Sequence, residues 1–399
     1  MTKQMSRKVY GTAIVIVGVI IAVIGLLLSF IGSEEIYDLP WLLVVIGGIV
    51  ILSALPQFSK KKLQPPLDMS KSTVKQTIMD NLLYIAMIAL IIIIAISNPR
   101  FMQFRVLRDI SGQSASRIFL ACGMSLLIIS GQIDLSAGRQ FGIAAVVAGS
   151  FVQTLDWGHR FYPNLPQLPV FVPILISIAV CVIIGLINGI LVSRFNLLPF
   201  IATLSTQIIC YGANCLYMNS EPNNSQPLGG FNPDYLKIGQ TMLGGWVPLI
   251  VVYAVLLLIV MYFILNYTSY GKNLYAIGGN RQAAMVSGVN VKATILITFV
   301  FASALYACAG VIESARTGTA TSSYGLNYES DAIASSVVGG VSMSGGVGKV
   351  SGIIIGVLLF NIISYGLTFI GIDPNWQLVL KGVIIAATVA LDIAKNKAN

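Results

Sequence analysis

Gly131-Gln132-Ile133-Asp134-Leu135-Ser136-Ala137-Gly138 interrupts an apolar run that begins at residue 118. In the second half of the chain, Gly339-Gly340-Val341-Ser342-Met343-Ser344-Gly345-Gly346 interrupts the run 331–338. The two octets share one pattern: Gly, any residue, Ile or Val, Asp or Ser, Leu or Met, Ser, Ala or Gly, Gly. A helix needs roughly 20 apolar residues to cross a bilayer, so neither run spans alone. Broken helices in corresponding positions of two halves are a mark of transporters built from repeats. The pattern predicts an all-α polytopic membrane protein with its helix breaks near the functional centre.

Composition agrees. Of 399 residues, 56% are hydrophobic and 10% charged. Soluble domains carry about 25% charged residues. A soluble enzyme, a disordered chain and a disulfide scaffold are excluded. Apolar runs fall near 10–31, 40–55, 81–97, 114–130, 139–154, 171–193, 200–218, 246–265, 293–314, 331–345, 350–371 and 378–393. Lys3, Arg7 and Lys8 precede the first run, but no small-residue cleavage pattern follows it. Residues 1–80 therefore read as a retained two-helix hairpin with a basic linker, and 81–399 as a core of about ten helices. Net charge is +9, with the basic residues in short loops, where they set topology and hold lipid headgroups; no nucleic-acid partner is expected. The cysteines (Cys122, Cys181, Cys210, Cys215, Cys308) lie inside apolar runs and form no CxxC, and His159 is the single histidine. Neither a metal site nor a bound cofactor is expected.

Lysine and arginine placement gives an orientation. Lys3, Arg7 and Lys8 put the N-terminus in the cytoplasm, as Lys395 and Lys397 do the C-terminus. Lys60–Lys62 and the loop 266–292, with Lys272, Arg281 and Lys292, face the same side. Arg100, Arg105 and Arg108 fall outside and break the rule. By parity both octets lie on one membrane face, whereas a simple inverted repeat would place them on opposite faces.

Polar groups in apolar runs usually face the bundle interior. Gln132, Asp134, Ser136, Arg139, Asn188, Thr203, Gln207 and Asn214 are candidates for lining a passage. The alternative for each is an interhelical hydrogen bond, or for Asp134 and Arg139 an ion pair. Gly348, Gly352 and Gly356, and separately Gly185 and Gly189, have the spacing of close helix contacts. Gly345-Gly346-Val347-Gly348-Lys349 is no phosphate loop, because Met343 and Val350 stand where Gly and Ser or Thr are needed. Any ATP hydrolysis belongs to another polypeptide, and the chain is not read as an enzyme.

The loop Gly278-Gly279-Asn280-Arg281-Gln282-Ala283-Ala284-Met285-Val286-Ser287-Gly288-Val289-Asn290-Val291 has the character of a docking element. Together with Gly131–Gly138, Leu198–Leu204 and Val338–Gly348, it makes the chain from about residue 78 onward resemble the permease subunits of ribose-type sugar ABC importers. Asp134–Gln140 and Tyr365–Gly371 favour the members that carry galactose and methyl galactoside. Ribose, another pentose or a nucleoside is the alternative substrate. The resemblance implies a bacterial cytoplasmic-membrane assembly of two permease copies, an ATPase on a separate chain and an external sugar-binding protein. Gly279, Asn280, Gln282, Ala283, Ala284 and Gly288 match the loop that meets the ATPase, with Gln282 where Glu is usual. Arg100, Arg105, Arg108 and Arg316 would meet the binding protein. Residues 1–80 depart from the family pattern. Two rivals of other classes are an ion-coupled secondary transporter and a scaffold or sensor subunit. The first would need several membrane carboxylates, and the chain offers Asp134 and, marginally, Asp331 and Glu313. The second leaves the paired helix breaks without a purpose.

Overall fold

A computed structural model describes residues 82–373 and 375–386. The expected hairpin, its linker and the C-terminal basic residues lie outside them. Ten main helices are present among the described residues: α1 (Leu82–Ser97), α2 (Phe104–Ile129), α3 (Ala137–Phe151), α4 (Phe171–Ser193), α5 (Pro199–Asn219), α7 (Leu249–Tyr267), α10 (Val291–Thr317), α11 (Tyr328–Val338), α12 (Val350–Phe369) and α13 (Asn375–Ala386). Three short helices connect them: α6 (Pro233–Gln240), α8 (Ser269–Gly279) and α9 (Arg281–Val286). A two-stranded ribbon, β1 (Met242–Leu243) with β2 (Val247–Pro248), precedes α7. Five helices, α2, α4, α7, α10 and α12, are long and apolar enough to cross a membrane.

Two boundaries differ from the sequence reading. The sequence places one apolar run at 114–130, whereas α2 begins at Phe104 and carries Arg105, Arg108 and Asp109 in its first turns. Arg105 is exposed and Arg108 partly buried, and the helix continues through both. The run 331–345 is not one helix. It ends at Val338, and the chain turns back through Gly340, Gly345 and Gly346, all at positive φ, which glycine adopts without penalty.

The backbone forms two compact units. Of the described residues, one holds 82–109 with 366–371. There the side chain of Asn98 accepts from the Arg100 N–H at 3.1 Å, and Phe101 meets Phe369 edge-on at 5.6 Å. The other unit holds 110–365 with the described remainder of the chain and is built around α10. The glycine spacings are helix contacts here. A methyl at Gly185 would lie 2.7 Å from the Phe299 carbonyl of α10, and one at Gly189 3.1 Å from Leu296 Cα. Gly352 and Gly356 leave room only for the carbonyls of Gly339 and Ser335 at the end of α11. Close backbone approach of this kind maximises van der Waals packing where lipid supplies no hydrophobic drive.

Candidate functional site

The short helices α8 and α9 are built by local signals. The Thr268 hydroxyl accepts from the Gly271 N–H at 3.1 Å to cap α8. The Asn280 side chain accepts from the Ala283 N–H at 2.9 Å to cap α9. At the far end of α9 the Val289 N–H donates to the Ala284 carbonyl and the Gly288 N–H to that of Met285, with Gly288 at φ 85°. This is a Schellman stop, and it requires the left-handed residue that Gly288 supplies. Ala283 faces out, but Ala284 is buried. The exposed apolar tip is instead Met285 and Val286, at 61% and 88% exposure. The sequence reading passed over both, although two apolar residues on a short polar-flanked helix were a visible signal.

The start of the loop touches both helix breaks. The Gly346 N–H donates to the Ile129 carbonyl at 2.8 Å, joining the second break to the end of α2. Gly278 lies against both of those atoms, and a methyl there would overlap Ile129 O and Gly346 N. A methyl at Gly345 would stand 2.8 Å from the Gly278 oxygen and 3.2 Å from Gly131 N. The Tyr275 hydroxyl donates to the Gly348 carbonyl at 2.9 Å, and partial burial raises its pKa, keeping it a neutral donor. The two octets and the loop therefore meet at one junction. A cleft of about 250 Å³ opens beside this junction between Gly131, Gln132, Leu198, Pro199, Ile277 and Arg281.

Asp134, Ser136, Asn188 and Thr203 come together at the first break. Ser136 donates to Asp134 Oδ1 through its N–H at 2.8 Å and its hydroxyl at 2.5 Å. Gln140 and Asn188 donate to the Ser136 hydroxyl at 2.9 and 3.0 Å. Thr206 donates to Asn188 Oδ1, and the Leu135 N–H donates to Thr203 Oγ1 at 3.0 Å. Asp134, Ser136, Asn188 and Thr203 are fully buried. In this conformation they tie α3, α4 and α5 to the break rather than face an open passage. Gln132 turns back on the Ser130 carbonyl.

The other candidates lie elsewhere. Arg139 does not pair with Asp134; its guanidinium sits over the Tyr211 ring at 4.2 Å. Gln207 donates to Glu329 Oε1 at 3.1 Å, and Asn214 donates to the Ser322 carbonyl at 3.4 Å. Arg316 is held by Glu313 at 2.7 and 3.1 Å, while Ser116 donates to the same carboxylate. Asp331 accepts from Arg117 at 2.8 Å and from Lys381 at 3.0 Å. Arg100 and Arg105 are exposed, and Arg108 stands 3.9 Å from Asp109.

The profile of the family described as "Branched-chain amino acid transport system / permease component" matches residues 106–389. The chain belongs to this family. It is a multi-pass membrane permease. It is 43% identical over 316 residues to the galactose/methyl galactoside import permease protein MglC of Escherichia coli, covering 78% of this chain and 94% of that protein. The Haemophilus influenzae protein of the same name is 41% identical over 79% of this chain and 94% of its own length. The ribose import permease protein RbsC of Bacillus subtilis is 34% identical over 78% and 92%. No solved structure matches the chain.

Proposed function

We propose that the protein is the membrane subunit of an ATP-driven monosaccharide importer, with galactose and methyl galactosides as the favoured cargo and ribose, another pentose or a nucleoside as the alternative. The observation that carries this reading is 43% identity across 94% of a galactose/methyl galactoside import permease, against 34% to a ribose permease. The junction supports the mechanism. An ATPase seated on Met285 and Val286 has a backbone connection through Gly278 to both helix breaks. Nucleotide-dependent binding to two permease states would then reorient α2, α3, α11 and α12 together, and differential affinity for the two states is sufficient. The face carrying α8 and α9 is the cytoplasmic one on this reading, as are both termini.

The finer assignments follow. Gly279, Asn280, Gln282, Ala283, Ala284 and Gly288 build the ATPase-docking element. Arg100 and Arg105, with Arg108 beside them, offer positive charge to an external sugar-binding protein. A second copy would pack on α5, whose outer face joins exposed Ile208, Ile209 and Leu216 to an unobstructed Gly212. The hairpin 1–80 is peripheral, so a chain starting near Ser70 should assemble and transport. A shortened chain that assembles but moves no sugar would show otherwise.

Asp134, Glu313 and Asp331, the carboxylates named for an ion-coupled reading, are each held by several donors, and Glu329 alone keeps a buried carboxylate oxygen unpartnered among the described residues. The test is uptake into proteoliposomes holding the chain and its ATPase, supplied with ATP and the sugar-loaded binding protein. Labelled galactose should enter only with all of these present, and excess ribose should compete weakly. Uptake driven by a sodium or proton gradient in the absence of the ATPase would overturn the proposal.

A further inference from the structure

Four side chains meet where α5 faces the start of α3 and the start of α11. Arg139 is 9% exposed and Glu329 5% exposed. They are close enough to interact electrostatically, yet no nitrogen–oxygen pair between them comes within ion-pair distance among the described residues. Each keeps a buried atom without a protein partner, Nη1 of Arg139 and Oε2 of Glu329. An opposed cation and anion in a dry place normally close on one another, because an unpaired buried charge is expensive. Here Tyr211 holds the guanidinium from its ring face, and Gln207 holds the carboxylate through its other oxygen. Glu329 Oε2 is pressed against Gly138, where any side chain would collide with it. Tyr211, which covers the guanidinium, is 45% exposed, whereas the two unpartnered atoms behind it are buried.

We propose that Arg139, Glu329, Gln207 and Tyr211 form a binding site for a neutral vicinal diol. This inference rests on the reading of the chain as a sugar permease and deepens it. The chemistry selects the ligand class. A hydroxyl can donate to Glu329 Oε2 while a neighbouring hydroxyl accepts from Arg139 Nη1, satisfying both atoms together. An anion is repelled by Glu329, a cation by Arg139, and an apolar ligand leaves both unsatisfied. Tyr211 supplies an aromatic surface for the carbon face of a ring. Glu329 and Tyr211 thereby join Arg139 and Gln207 as residues that touch the cargo.

The test uses the complete complex with its ATPase and binding protein in proteoliposomes. Glu329→Gln keeps the bond from Gln207 to Oε1 but replaces the free acceptor with an amide donor. Galactose uptake should fall about tenfold or more, the effect of losing one hydrogen bond to a charged group. Tyr211→Leu should lower uptake several-fold, and Tyr211→Phe should restore it, since the ring is retained.

A series of monodeoxygalactoses separates contact from mere structure. In the wild type, one deoxy sugar should lose about as much as Glu329→Gln loses for galactose. In the variant, that same sugar should lose nothing further. Equal loss of galactose and every deoxy sugar in the variants would mark these residues as structural and overturn the site. Wild-type rates in Glu329→Gln and Tyr211→Leu would overturn it as well. A wild-type complex that moves no galactose at all would instead defeat the sugar-permease reading on which the site rests.

Discussion

Replacing Gly278 with alanine adds one methyl group at the point where the loop meets both helix breaks. That methyl would occupy the space between Ile129 O and Gly346 N, two atoms now joined by a 2.8 Å hydrogen bond. The bond must open. Losing a buried backbone bond costs about 1–3 kcal/mol, and overpacking a tight contact costs about 1–3 kcal/mol more. The sum is about 2–6 kcal/mol, or roughly 4–24 °C in thermal midpoint at about 2–4 °C per kcal/mol. Gly279 supplies the control, because a methyl there meets nothing within 4 Å and its φ is not in the left-handed region. Thermal unfolding of the detergent-solubilised protein, followed by intrinsic fluorescence, gives the comparison. Gly278→Ala should unfold well below wild type and Gly279→Ala close to it. A Gly278→Ala midpoint equal to wild type would refute the junction as described.

Three other outcomes follow from the same geometry. Met285→Asp with Val286→Asp should abolish co-purification of the ATPase while leaving the thermal midpoint in place, since both side chains face water; retained co-purification would remove them from the docking surface. Asp331→Asn leaves Arg117 and Lys381 facing one another and should destabilise the protein by about 3 kcal/mol, read from the same unfolding assay. Converting Arg100, Arg105 and Arg108 to Glu should slow binding-protein association and flatten its dependence on salt, measured by stopped-flow. Unchanged kinetics at low salt would leave those arginines as lipid anchors.

Much of the fold was legible because its signals are local. Gly348, Gly352 and Gly356 announce a close helix contact by spacing alone, and Gly185 with Gly189 does the same. Asn280 and Gly288 bracket α9 as a cap and a stop. The two Gly-rich octets mark the helix breaks. What the sequence concealed depends on partners distant along the chain. Arg139 and Asp134 are five residues apart, yet Tyr211 takes the guanidinium and Ser136 the carboxylate. Asp134, Ser136, Asn188 and Thr203 belong to one network, but a list of polar residues in apolar runs cannot say whether they satisfy one another or face water. Glu329 drew no notice because it sits in a run of polar residues at the start of α11, and only the fold brings it to Gln207 and Arg139. The early start of α2 was hidden by its own charges.

On the proposed mechanism, the loop 276–291 and both helix breaks move as one body. Amide hydrogen exchange of the full complex, compared without nucleotide and with ATP trapped, reports this directly, because protection follows local opening. Protection across residues 130–136 and 339–348, including the Gly346 N–H, should change together with that of 276–291. A change confined to 276–291, with both breaks exchanging as before, would contradict it.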